Sequence, residues 1–158
     1  MIALTQNNRQ KFMMKYLSIL FLSLNVTIYS HAQCISGDCE TGQGVLKFQS
    51  GTVYIGEFSG GEFEGTGILI SANGDRYFGK WESDMRNGYG KLVIANESER
   101  YEGEFKDNKF EGYGTFQFSD EAIYSGMWAS STMHGPGRYQ SGSGDITEGL
   151  WKNGSLAS

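Results

Sequence analysis

Basic charge, proline, cysteine and histidine are all scarce in this sequence. Its 158 residues hold one Pro, two Cys and two His, and 13 Lys and Arg stand against 18 Asp and Glu. Residues 1–32 carry three of the basic residues and none of the acidic ones; the remainder has 10 basic against 18 acidic, a net charge of −8. A surface of that sign repels nucleic acid phosphates and anionic headgroups, and no basic cluster overrides it locally. Nucleic acid is excluded as a partner. The apolar run "YLSILFLSLNVTIYS" at 16–30 is shorter than the roughly 20 residues a bilayer span needs. No phosphate-cradling G-x-x-x-x-G-K-[ST] occurs.

The two cysteines, Cys34 and Cys39 in "CISGDC", have no histidine near them beyond residue 32, and a zinc site wants four ligands. Their spacing differs from the C-x-x-C of a redox pair. A disulfide closing a short loop fits them best, in an oxidising compartment. No metal and no cofactor is expected. His134 is the one histidine beyond residue 32, and no partner identifiable in the sequence would make it a general base. It reads as a polar loop residue. Glu64 and Glu111 are two repeats apart, too far for paired-carboxylate glycoside chemistry. No catalytic residue is predicted.

What precedes Gln33 reads as an address. Arg9, Lys11 and Lys15 come before the apolar run, and Ser30 and Ala32 hold the small-residue places of a cleavage site. Residues 1–32 are predicted to be a cleavable signal peptide, with an uncleaved anchor as the alternative; Met14 serves equally as a start. Gln33 before Cys34 departs from a lipoprotein signal. The expected destination is the periplasm, the cell surface or the medium.

Glycine and aromatics are abundant: 23 Gly, and 14% of residues are Phe, Trp or Tyr. The aromatic content argues against a disordered low-complexity chain, and the glycines are ordered. Tyr54, Tyr77, Tyr101 and Tyr124 are 23, 24 and 23 residues apart. Two residues after each comes Gly56, Gly79, Gly103 or Gly126, and four after it Phe58, Trp81, Phe105 or Trp128. Further on lie the pairs Gly65/Gly67, Gly88/Gly90, Gly112/Gly114 and Gly135/Gly137, each followed by Leu69, Leu92, Phe116 or Tyr139. A half unit with Gly42 and Gly44 precedes them; Thr147, Gly149 and Trp151 open a truncated one.

Period-two alternation makes each unit a pair of strands, with Tyr77, Gly79 and Trp81 on one face and Phe78 and Lys80 on the other. Gly61, Asp84, Asn108 and Gly154 share a column suited to the positive φ of a hairpin turn, where Ser131 departs from the pattern. "SG" at 50–51, "NG" at 73–74 and "GSG" at 142–144 mark the joints. Glycine inside a strand is explained where a ring must lie against the backbone, here a Tyr or Trp from the adjacent strand.

These offsets, Y-x-G-x-[WF] then G-x-G-x-[LF], resemble the MORN (membrane occupation and recognition nexus) repeat. The resemblance implies an all-β, single-layer, elongated and twisted antiparallel sheet of tandem hairpins. A Cys–Cys cap at 33–41 then precedes a repeat domain at 42–158: a half unit at 42–53, units at 54–76, 77–100, 101–123 and 124–146, and a partial unit at 147–158. Longer proteins with such repeats carry their catalysis in a separate domain, and here only "SLAS" follows the array. The expected function is therefore binding: a scaffold for a protein partner along the stripe Tyr54, Phe58, Tyr77, Trp81, Tyr101, Phe105, Tyr124, Trp128 and Trp151. The same rings serve equally as the fold's own core. Association with a lipid surface is the alternative that the resemblance suggests and the charge opposes; glycan stacking is a third. Open strand edges predict a monomer or an end-to-end homodimer through the C-terminal hairpin.

Overall fold

The computed structural model describes residues 32–95 and 97–157, so the signal-peptide segment lies outside the described residues apart from Ala32. The alternation read above becomes strands with tight turns. They are β1 (Ala32–Gly37), β2 (Gln43–Phe48), β3 (Val53–Ser59), β4 (Glu62–Ile70), β5 (Arg76–Glu82) and β6 (Met85–Val93). β7 (Arg100–Lys106), β8 (Lys109–Gln117), β9 (Ile123–Ala129), β10 (Thr132–Gln140), β11 (Ile146–Lys152) and β12 (Ser155–Leu156) follow. All twelve form one open sheet in sequence order, so every connection is a hairpin. No helix is long and apolar enough to cross a membrane among the described residues.

The register explains the glycine columns. Gly44, Gly56, Gly67, Gly79, Gly90, Gly103, Gly114, Gly126, Gly137 and Gly149 face one another in an unbroken row from β2 to β11. Each tyrosine folds back over this row. A Cβ on Gly56 would lie 2.5 Å from Tyr54 Oη, and one on Gly67 would lie within 2.6 Å of Oη, Cζ and Cε2 of the same residue. Tyr77 covers Gly79 and Gly90, Tyr101 covers Gly103 and Gly114, and Tyr124 covers Gly126 and Gly137. The covering ring thus comes from the strand of the first glycine as well as from the neighbour of the second. A ring from the adjacent strand alone, as expected from the alternation, accounts only for the second glycine. Tryptophan does not take this seat.

The first glycine of each pair does different work. Gly65, Gly88, Gly112 and Gly135 have φ of 63°, 73°, 59° and 63°, the left-handed region that a side chain resists. They lie where the hairpin register shifts, that is, at bulges. The bulge turns a carbonyl out of the ladder, and the tyrosine hydroxyl donates to it. Tyr54, Tyr77, Tyr101 and Tyr124 Oη reach the carbonyls of Glu57, Lys80, Glu104 and Met127 at 3.0, 2.9, 2.9 and 3.0 Å. Tyrosine, glycine row and bulge form one device.

At both ends the device is replaced. No tyrosine is available for Gly44, and Cys39 Sγ fills the space, 2.7 Å from where a Cβ would sit. The bond between Cys34 and Cys39 holds that sulfur in place, and the Asp38 carboxylate fixes the loop by accepting from the N–H groups of Glu40 and Thr41. Those bonds hold the Asp38 pKa below the usual carboxylate range. At the other end Thr147 stands in the tyrosine column, and Leu156 Cδ1 covers Gly149. Cys34→Ser with Cys39→Ser is expected to cost up to about 2 kcal/mol, the entropy of closing so short a loop. Hydrogen exchange should show the loss confined to β1 and β2; equal loss of protection in β8 would contradict a terminal plug.

Candidate binding face

The stripe named from the sequence is brought together on one face and is buried. Tyr54, Tyr101 and Tyr124 are fully inaccessible, and Trp151 is the most exposed of the nine at 9%. Phe58, Trp81, Phe105, Trp128 and Trp151 stand edge-on to the tyrosines, with centroids 5.1–5.6 Å apart in every pair, the arrangement that ring quadrupoles favour. Trp128 and Trp151 donate their indole N–H to the carbonyls of Gly114 and Gly137 at 3.1 and 3.2 Å. Trp81 Nε1 is buried without an acceptor among the described residues.

A second tier lies on the stripe and reaches solvent. Leu46, Phe48, Leu69, Leu92, Phe116, Phe118 and Tyr139 pack against it half-buried. Position nine after each tyrosine completes the tier: Phe63, Arg86, Phe110 and Met133. Phe63 stacks on Tyr54 at 3.7 Å and Phe110 on Tyr101 at 3.8 Å, both nearly parallel. Arg86 holds the same place in its unit. Its guanidinium sits 5.7 Å from the Tyr77 centroid and 5.5 Å from that of Phe105, within cation–π range. Burial lowers the Arg86 pKa, with Tyr77 opposing; burial also pushes Tyr77 up to about 12.

The sequence signal for Arg86 is its column, otherwise Phe and Met. Sequence reasoning missed why the turn column holds Asp84, Asn108 and Ser131. The φ values of Asp84 and Asn108, 63° and 67°, are as expected, and Ser131 adopts the same conformation at 63°, but each side chain also latches onto the preceding hairpin. Asp84 accepts from the Phe63 N–H, Asn108 from the Arg86 N–H and Ser131 from the Phe110 N–H, at 2.7, 3.0 and 3.0 Å. Glu64 and Glu111 are occupied in a similar way, accepting from the N–H groups of Ser83 and Ser130. His134 lies in β10, exposed beside the bulge, rather than in a loop, because the bulge is accommodated within the strand.

Units alternate in character. Phe63, Glu57 and Glu64 recur 47 residues later as Phe110, Glu104 and Glu111, while the intervening unit has Arg86, Lys80 and Asn87 there. An array of near-identical hairpins with Tyr, Gly and Trp or Phe at these places is the signature that the MORN repeat model describes, and it matches residues 40–53, 54–76, 77–99, 101–122 and 124–146. The chain is a MORN-repeat protein. No curated protein matches it as a relative. MORN repeats are interaction modules, and this MORN sheet presents an aromatic-rich surface consistent with a binding or scaffold role.

The other face of the MORN sheet is also partly apolar. Ile55, Phe78, Tyr113, Met127 and Leu150 alternate with the stripe and are 39–62% exposed. Among them lie Arg76, Lys91 and Arg100, the first two paired with Glu97 and Glu102.

Proposed function

We propose that this MORN-repeat protein is an exported, non-enzymatic scaffold that binds a protein partner on the aromatic face of its sheet. The observation that carries the reading is the half-buried second tier. Phe48, Phe116, Phe118 and Tyr139 are seated on a rigid buried stripe, so they offer apolar area with little ordering cost to a partner. The stripe itself acts as the platform. Export is supported by the signal-like segment at 1–32 and by the Cys34–Cys39 bond. A binding role without catalysis is supported by Glu64 and Glu111 being engaged by backbone N–H groups.

Affinity capture with residues 33–158 from the matching envelope or culture fraction tests the reading. Phe118→Asp should abolish capture of a partner while leaving the sheet's circular dichroism intact. Retention of every captured species by that variant, with the fold intact, would reject the aromatic face as the surface. A lipid surface is the second reading, favoured by Ile55 and Phe78 exposed beside Arg76 and Lys91. In anionic-vesicle sedimentation it requires salt-sensitive pelleting that Phe78→Asp removes. The protein acts as a monomer or as an end-to-end dimer through β11 and β12; an unchanged dimer mass in light scattering after deletion of residues 147–158 would reject that interface.

A further inference from the structure

The face opposite the aromatic stripe carries Tyr89 and Tyr113, which sit between the two glycines of their units and are 59% and 58% exposed. They lie on β6 and β8, two strands and so roughly 9.5 Å apart at the usual strand spacing. With them, the backbone of Gly103 and Gly114 and the side chains of Arg100, Glu102, Thr115 and Gln117 line a recess of about 400 Å³. A second recess, of about 490 Å³, shares Tyr113 and continues past Ser125, Arg138 and Glu148 to Leu150 on β11. The two make a furrow that crosses the strands from β6 to β11. Tyr89 Oη donates to Glu102 Oε1 at 3.0 Å, which ties the tip of that ring to β7.

The charged groups of the furrow are Arg100, Glu102, Arg138 and Glu148, and their charges cancel. An anionic ligand would meet both carboxylates, and a cationic one both guanidiniums. An apolar ligand would strip water from all four without replacing the lost hydrogen bonds, which is costly. The furrow instead suits an uncharged ligand whose rim both donates and accepts, and whose C–H faces can rest on the electron-rich faces of the tyrosines. We propose that it binds a linear, uncharged polysaccharide of β-1,4-linked pyranose rings. In such a chain successive rings alternate in orientation, so every second ring offers the same face, and that repeat matches the interval from Tyr89 to Tyr113. The hydroxyls donate to Glu102 and accept from Arg100 and Gln117. This face is opposite the one assigned to the protein partner, and the proposal stands without that assignment.

Isothermal calorimetry on the folded protein tests this with four probes: cellohexaose, its N-acetylated amino-sugar counterpart, maltohexaose and hexagalacturonate. At least one of the first two, which are uncharged and β-linked, is expected to bind saturably. Maltohexaose, whose α-linkages curl the chain away from a straight row, and the anionic hexagalacturonate should bind about tenfold more weakly or not at all. Tyr113→Ala should weaken binding by about tenfold, the worth of one stacked ring, whereas Tyr113→Trp should retain it. Both variants should melt within about two degrees of wild type, since the ring is exposed. Phe118→Asp, on the other face, should leave sugar affinity unchanged even where it abolishes capture of a protein partner. No binding of either uncharged β-linked probe, or tighter binding of hexagalacturonate, overturns the proposal. So does undiminished binding by Tyr113→Ala, or loss of binding in Phe118→Asp.

Discussion

Gly103→Val is expected to lower the melting temperature by roughly 10 °C or more, at a cost of at least ~3 kcal/mol. A Cβ there would lie 2.5 Å from Gly114 Cα, 2.7 Å from Tyr101 Oη and 2.7 Å from the Tyr113 carbonyl oxygen. Two of these three neighbours are backbone, fixed by the β7–β8 ladder, so relief requires parting the two strands as well as displacing Tyr101. That ring is fully buried, stacks on Phe110 and touches Phe105 and Trp128 edge-on. Losing its seat forfeits all these contacts and the hydroxyl's bond to Glu104. Gly60→Asn is the control: its φ of 61° suits asparagine and nothing lies within 4 Å of the added atom. It should melt within a degree or two of wild type. An unchanged melting temperature in Gly103→Val, measured beside that control, would count against the seated-ring account.

Alkali is expected to unfold the sheet steeply. Burial raises the pKa of Tyr54, Tyr77, Tyr101 and Tyr124, that of Tyr77 to about 12, against about 10 in the unfolded chain. The unfolded chain therefore loses these protons first. Below pH 10 both states hold them and stability is at its full value. Above it the unfolded state is progressively favoured, and stability falls as pH rises toward the folded values. Four equivalent sites contribute to one slope, so the urea midpoint should drop sharply above about pH 10. Phenolate absorbance from these rings should appear together with loss of sheet dichroism. Tyr101→Phe should flatten the slope by close to one proton. Phenolate formation complete while dichroism is unchanged would mean that the hydroxyls are accessible in the fold.

The columns of Tyr, Gly and Trp or Phe were legible because they repeat at fixed spacing, and strand, face and hairpin followed from parity alone. The bulges were not. G-x-G gives no indication in composition that Gly65 is left-handed while Gly67 sits under a ring; that difference appears only when Tyr54 is seen to need a carbonyl for its hydroxyl. The stripe was found as a set of residues with the core as one of its two readings; that the core reading holds depends on how rings interlock between units, which spacing does not encode. Arg86 over the rings was not legible from its charge. In a column otherwise filled by Phe and Met, position outweighs charge, and the aliphatic stem and flat guanidinium allow an arginine to lie over rings.

The alternation of units carries a consequence for how such a chain lengthens. With Phe63 and Phe110 closing every second unit and Arg86 and Met133 between them, a duplication of one hairpin would set two like units side by side and put the pattern out of phase from there on. Copying a block of two, such as residues 54–100, keeps the phase and adds a whole period. By this logic the ruler has two hairpins, not one, as its smallest division.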